Sequence, residues 1–456
     1  MIGRMRWGRG VAVALTVAAI GQAVPAALAA QEDLPGVELG LFYSSTYLPA
    51  LAVQPFTGSF GGESLAPQVE AIVGRDLRNS DRFEVLDSLP PALVGEQVDY
   101  ALWDRLGAVW LVTGEVEGAG EGFVLLVQLH DVVYGEVREQ ARFRLPDPDD
   151  EDFRMAVHRT SDEIVTWATG DPGMAATRIT FTMTDDAGNK DIYVIDADGE
   201  NLQRLTRYDH LTESPTWSPD GQRIAFASWK SGVPRIYEVD RFGGGERMLP
   251  PLRGEGDYIT PSYHPDGKTI AFSVLGSSSQ SGVFTYNLAE ECCLSFLSGG
   301  PWHDISPTYS PDGRWLAFNT LRFGDAVPQV MMMPSEGGAA ETLSPYEYGS
   351  GGFYAAPDWS PHGDLVAFHG RIDRRGRYHI LVANLEEGGR VLRQLTSEGN
   401  NEAPSWAPDG RHLVFVGERS WGFGLMIADV TTGRIRMLLG GRRVGLPDWS
   451  PSFGPE

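Results

Sequence analysis

Cysteine is nearly missing from this 456-residue chain: there are two, and they are neighbours, Cys292 and Cys293. That count excludes a disulfide-stapled scaffold and a four-cysteine zinc site. Redox-active pairs normally space their thiols, so a bland surface loop is the simpler reading of the pair. Basic charge is also scarce. Lys and Arg number 37 against 61 Asp and Glu, for a formal net charge of −24. Nucleic acid rewards Lys and Arg for displacing counterions, so that class of partner is excluded. Docking on anionic lipid is excluded for the same reason. Past the N-terminal residues, no apolar run reaches the roughly 20 residues of a spanning helix, so direct membrane insertion is not expected. Catalytic motifs are missing as well: there is no G-x-S-x-G, no H-E-x-x-H and no P-loop. The nine His are scattered without the spacing of a helical metal site. The reading is therefore a non-enzyme with no cofactor and no metal.

What is present begins with an address. Arg4, Arg6 and Arg9 precede an apolar run from Val11 to Ile20, and Ala26 to Ala30 supply small residues. That order predicts a secretory signal peptide over 1–29, cut after Ala29 or Ala30. No Cys stands at the cut, so a lipoprotein is not expected. The mature chain is then exported into an oxidising compartment.

The C-terminal two-thirds repeats one phrase six times: Pro215-Thr-Trp217-Ser-Pro219-Asp-Gly221, then its copies around Tyr263, Tyr309, Trp359, Trp406 and Trp449. The aromatics are 46, 46, 50, 47 and 43 residues apart. Short strands repeating every forty-odd residues predict propeller blades. The aromatic plugs adjacent blades, and Pro-Asp-Gly is turn chemistry. An apolar strand follows each turn, as in Ile224-Ala-Phe226 and Val366-Ala-Phe368, buried on both faces. Ile179-Thr-Phe181 is a copy of that strand with no phrase before it, and Pro447-Asp-Trp449-Ser-Pro451 is a phrase with no such strand after it. The chain thus predicts an all-β six-bladed propeller over 175–456, closed by the C-terminal strand; closure removes open edges.

Residues 43–169 carry no trace of the phrase and predict a small α/β domain. Leu51–Phe56 and Phe83–Leu86 read as strands, and Pro67–Leu77 reads as a helix with Val69, Ile72, Val73 and Leu77 on one face. Val98–Leu106 is a second helix. The segments 110–116 and 123–129 form a hairpin. Phe153–Trp167 is a third helix, with Met155, Ile164 and Trp167 inward. Residues 30–42 read as a flexible tail and 170–174 as a hinge. Asp196-Ala-Asp198-Gly199 resembles a calcium-loop fragment, but it lacks the closing Glu and reads as a hairpin turn.

The order of signal peptide, small α/β domain and six blades resembles the TolB family, the periplasmic propellers of the Tol–Pal system. More specific likenesses are Asp76-Leu-Arg-Asn-Ser80 with Phe83 and Leu86-Asp87, Val53-Gln-Pro-Phe56, and His158 with Ser161-Asp-Glu-Ile164 and Thr177-Arg-Ile179. The resemblance implies a periplasmic protein–protein scaffold that supports outer-membrane integrity and constriction at division. It implies binding of the lipoprotein Pal at the propeller mouth, and of TolA through the N-terminal tail. Outer-membrane lipoproteins or colicins are further implied partners, and a monomer is expected. Carried onto this chain, the Pal surface comprises Glu213, Asp257, Tyr258, Thr260, His303, Asp304, Tyr354, Asn401 and Glu402; family members place a His where Asp257 stands. The TolA segment comprises Glu32, Asp33, Val37, Glu38 and Leu39. Two other readings stand beside this one. One is a propeller that binds a glycan or small ligand in its channel. The other is a relative of prolyl-oligopeptidase-type peptidases, which place a hydrolase domain beside such a propeller; here the N-terminal domain is short and lacks a nucleophile motif.

Overall fold

The computed structural model describes residues 39–40, 47–86, 98–120, 122–249, 256–276, 281–300, 302–323, 327–345, 352–372, 375–385 and 391–454. The signal peptide and the tail residues Glu32, Asp33, Val37 and Glu38 lie outside them.

The N-terminal domain is a mixed sheet covered by helices. Strands Glu84–Val85, Ala50–Val53, Trp110–Ala119, Gly122–Asp131 and Glu136–Leu145 follow one another across it, and Thr57–Ser59 also pairs with Trp110–Ala119. Helix Ala66–Asn79 starts on Pro67, whose missing N–H is harmless in a first turn. Its Val69, Val73 and Leu77 join Val157 and Ile164 of helix Phe153–Thr169 over Leu51, Val112, Leu125 and Val127. Short helix Tyr100–Arg105 is capped by Asp99, which accepts from Leu102 N at 3.1 Å. Its Trp103 fills a second cluster with Ala52, Leu111 and Val132. Of the three residues expected to face inward on the last helix, Met155 and Ile164 are buried and Trp167 is half-buried.

Six four-stranded blades follow. Blade two runs Thr212–Trp217, Arg223–Ser228, Arg235–Asp240 and Arg247–Met248, from the axis outward. Blades three to six repeat that order from Asp257, Asp304, Phe353 and Asn401. Blade one takes its inner strand, Arg443–Trp449, from the C-terminus, antiparallel to Arg178–Thr184 with Trp449 opposite Ile179. The ring is closed as the strand count requires. The turn glycines Gly221, Gly267, Gly313, Gly363 and Gly410 all have φ between 65° and 82°, the left-handed region that Pro-Asp-Gly serves. Ile224, Ala225 and Phe226 are fully buried, as are their counterparts Val366, Ala367 and Phe368.

Two features depart from the sequence reading. Cys292 and Cys293 are joined to each other by a disulfide and open the outermost strand of blade three, Cys292–Gly300, rather than lying in a loop. Leu39–Gly40, placed in a flexible tail, instead adds a fifth, parallel strand to the outer edge of blade five, Leu39 opposite Leu392 and Gly40 opposite Arg393. An open edge offers unpaired N–H and C=O groups, which an extended segment satisfies without side-chain specificity.

Candidate functional site

The propeller presents two faces, and each inner strand shapes one of them. Every inner strand is bulged just before its Pro. The bulged residues Ser214, Thr260, Ser306, Ala356, Ala403 and Leu446 all have φ between 48° and 55°. With the prolines they line a central channel of about 130 Å³. The position after each Pro ties blades together. Asp448 Oδ2 accepts from Trp217 N at 2.7 Å, Asp358 Oδ2 from Trp406 N at 2.7 Å, and Ser405 Oγ from Trp449 N at 3.0 Å. Burial pushes the Asp448 carboxyl up to about 8, with Asp358 adding to it, and burial pushes Asp358 up to about 6.

On the mouth face, the nine residues carried over for Pal separate into two groups. Glu213, Asp257 and Thr260 are half-buried, and His303 and Glu402 are exposed. Glu213 pairs with Lys190 at 2.9 Å, and Thr260 Oγ1 bonds Ser273 Oγ at 2.7 Å. The other four are inside, where their side chains support the mouth and do not meet a partner. Tyr258 is T-stacked on Phe272 beneath the Arg235 guanidinium, 4.6 Å from its ring, and Tyr354 is T-stacked on Phe368. Asp304 accepts from Arg322 at 2.6 Å and from Ser298 at 2.5 Å. Asn401 donates to Glu398 O at 2.9 Å and accepts from Arg419 at 3.1 Å.

Exposed apolar groups stand elsewhere on that rim. Trp421 is 47% exposed, Phe423 45% and Leu446 36%. Phe423 and Leu446 wall a recess of about 190 Å³ between blades six and one, with Glu402 and Glu418 beside them. Desolvation, followed by the Glu418 charge, raises the Glu402 pKa. Between blades five and six, Arg371 lies over the rings of Phe353 and Tyr378. His369 stacks on both rings, and its Nδ1 accepts from Ala403 N at 3.2 Å. Burial pushes His369 down to about 4, which suits an acceptor. The hairpin residues Trp421 and Phe423 lie outside the repeated phrase, so motif reading passed over them.

The N-terminal domain occupies the opposite face, against the Asp-Gly turns of blades one and six. His158 is buried with Nδ1 2.8 Å from Asp76 and Nε2 4.0 Å from Asp196. Arg154 reaches Asp196 at 3.2 Å and Asp198 at 2.6 Å, and Arg75 reaches Asp198 at 3.2 Å. Burial opposes charge on His158, but Asp76, then Asp198 and Asp196, outweigh it and raise its pKa. Thus Asp196-Ala-Asp198-Gly199 is a turn whose carboxylates hold the other domain. The second cluster joins His412 to Asp409 at 2.6 Å and to Asp81 at 3.4 Å, with Arg434 on Asp81 at 3.1 Å. Arg411 donates to Asp81 O and to Asp429, both at 2.7 Å. Despite burial, Asp409 leads in pushing His412 up to about 9. The segment read as a hinge is fastened: Asp162 accepts from Ala175 N at 2.7 Å and Ala176 N at 2.8 Å, and Arg82 pairs with Asp171 at 2.6 Å.

Comparison with known proteins gives these faces a family. The TolB beta propeller domain matches residues 166–453, and the TolB amino-terminal domain matches 45–137. The Tol-Pal system protein TolB of Albidiferax ferrireducens is 36% identical over 211 residues, 46% of this chain and 48% of that protein. The protein of the same name from Gluconobacter oxydans is 30% identical over 404 residues, 86% of this chain and 85% of its own length. The match to the first of these relatives spans about half of its length. The crystal structure of TolB from Acinetobacter baumannii superposes with a TM-score of 0.76 at 24% identity, covering 91% of this chain and all of that one, which speaks for the fold. A propeller match over more than half the residues, an amino-terminal match beside it and a relative aligned along most of both chains place this chain in the TolB family.

Proposed function

We propose that the chain is a non-catalytic, periplasmic scaffold of the Tol–Pal system, binding Pal at the propeller mouth and TolA through its N-terminal tail. The observation that carries the reading is the division of the two faces. The N-terminal domain is clamped on one, and no described residue covers the mouth, where aromatic side chains stand around acidic ones. Interfaces draw their anchors from exposed aromatic groups and their orientation from charge. The docking set is accordingly Trp421, Phe423 and Leu446 as apolar contacts, with His303, Asp257, Glu213 and Glu402 as the polar rim; Tyr258 and Tyr354 hold the rim from behind. The tail residues Glu32, Asp33, Val37, Glu38 and Leu39 serve TolA; the pairing of Leu39–Gly40 with blade five supports strand addition as a mode of engagement open to this segment.

The test is calorimetric titration with the soluble Pal domain. Replacing Trp421 and Phe423 by Ala is expected to weaken binding by about 2 kcal/mol or more, the size of a central anchor. Charge reversal at Glu402 and Asp257 is expected to slow association and change its salt dependence. Unchanged affinity in all four variants, with the propeller folded, would move the site elsewhere. Deletion of 30–42 is expected to abolish TolA binding and leave Pal binding intact.

A further inference from the structure

A repeat makes its exceptions visible, and blade two carries one that neither the closure of the ring nor the domain joint explains. The residue that pairs across from Ala225 on the third strand of blade two is Glu238. The equivalent residues are Val194, Thr285, Met332, Val382 and Ile427, none of them charged. Glu238 is 1% exposed. A lone carboxylate at that depth would be costly, and it persists only with partners. Tyr263, the aromatic plug of blade three, donates to Oε1 at 2.5 Å, and Arg247 Nε donates to Oε2 at 2.5 Å.

Those groups floor a cleft of about 500 Å³ between blades two and three, on the face of the Asp-Gly turns. That volume is within the range of small-molecule sites. Arg223 also lines the cleft. Its side chain is 38% exposed, while its buried Nη1 faces inward and forms an ion pair with Glu238 Oε2 at 3.8 Å. Glu238 is already engaged by Tyr263 and Arg247, so the solvent-facing part of the Arg223 guanidinium, not the Nη1 turned toward Glu238, is the cationic donor for a ligand carboxylate. The rim has the other sign: Asp220 and Asp266 line it and are exposed. Each uses Oδ1 for its own turn, accepting from Gln222 N at 3.0 Å and from Lys268 N at 2.8 Å. A plain anion would meet these rim carboxylates, and a plain cation would meet the two guanidinium groups. A molecule carrying both charges a few ångströms apart satisfies floor and rim together.

We propose that this cleft binds the zwitterionic end groups of an amino acid or short peptide, with its carboxylate on Arg223 and its ammonium between Asp220 and Asp266. The site lies on the face opposite the mouth and goes beyond the Tol–Pal reading, so it stands or falls separately from Pal binding. The experiment is calorimetric titration of the full protein with the dipeptide L-alanyl-L-leucine, its N-acetyl derivative and its C-terminal amide. Saturable binding of the free dipeptide at one site, weakened at least tenfold by either blocking group and by Arg223→Ala, is the expected result. Arg223 lies at the cleft surface, and circular dichroism verifies that its variant is folded. The proposal is overturned by no saturable heat with the free dipeptide at millimolar concentration. Equal binding of the amide, or unchanged binding in folded Arg223→Ala, overturns it too.

Discussion

Removing residues 443–456 is expected to unfold the propeller, although the cut takes only one strand and a short tail. The strand is the inner member of blade one, and its losses can be followed group by group. Trp449 is 6% exposed, donates from Nε1 to Thr177 at 2.8 Å and packs with Ile179, Phe181 and Ile427. Truncating a buried Trp costs about 3–5 kcal/mol. Deletion also removes Asp448, which accepts from Trp217 N at 2.7 Å, and Ser450, which accepts from Arg178 N at 2.9 Å. Each N–H orphaned in the interior costs about 1–3 kcal/mol more. Phe453 leaves as well, exposing the edge of Trp217, its T-shaped neighbour at 5.7 Å. Together these terms approach the roughly 5–15 kcal/mol that holds a whole domain. Urea denaturation followed by circular dichroism is the assay. Trp449→Ala is expected to lower stability by about 3–5 kcal/mol with the slope unchanged. The deletion is expected to show no cooperative propeller transition. A deletion variant that melts with the midpoint and slope of the full chain would refute closure by this strand.

Two further outcomes follow from buried titratable groups. Asp448 has a folded pKa raised to about 8, so the folded state holds a proton that the unfolded chain releases near its ordinary value; this contribution to stability is present at low pH and is lost as pH rises toward 8. Asp448→Asn keeps an acceptor for Trp217 N without the charge, and a higher urea midpoint at pH 8 than at pH 5, relative to the parent, is the expected reading. His412 is raised to about 9 between Asp409, Asp81 and Asp429, with Arg411 and Arg434 alongside; its contribution is full below about 6.5 and is lost as pH rises through 9. Hydrogen exchange around Asp81 and His412 should therefore quicken between pH 7 and pH 9.5 in the parent after correction for intrinsic rates, and His412→Gln should remove that pH dependence; equal profiles would show that His412 does not hold the joint.

The ring was legible because its chemistry is local. Pro-Asp-Gly must turn, the aromatic before it must be buried, and an unbroken apolar strand must have neighbours on both faces. Counting copies then located the closing strand. Mouth side chains were less legible because parity fails there. Each inner strand slips register between its first residues and its Pro, as between Ile259 and Ser262 and between Ala355 and Asp358. A bulge breaks the two-residue alternation that would assign an outward face, so Tyr258 and Tyr354 turn inward while Thr260 lines the channel. The strand Glu136–Leu145 escaped reading for a different reason. It is an edge strand, mostly solvated, and its sequence EVREQARFRL carries few apolar residues to give a period. The domain joint was beyond any local pattern, since Asp81 and His412 are far apart in the chain and each is unremarkable alone.

The repeat itself shows where to look for such distant pairings. One position, two residues after each turn glycine, begins the second strand on the face that carries the Asp-Gly turns. It is Arg223, Thr269, Trp315, Leu365 and His412 in blades two to six, and Arg178 is its counterpart in blade one. The apolar residue that follows does not select among these, because it is 0% exposed in all six. The choice goes with the carboxylates that meet each residue. Arg178 binds Asp196 at 3.0 Å beneath helix Phe153–Thr169, and His412 faces Asp81 of the N-terminal domain. Arg223 opens onto the cleft with Glu238. Trp315, 38% exposed, has no described domain over it. The charged groups at this position are each met by a carboxylate of their own blade, Asp196 in blade one, Glu238 in blade two and Asp409 in blade six, and in blade six also by Asp81 of the first domain.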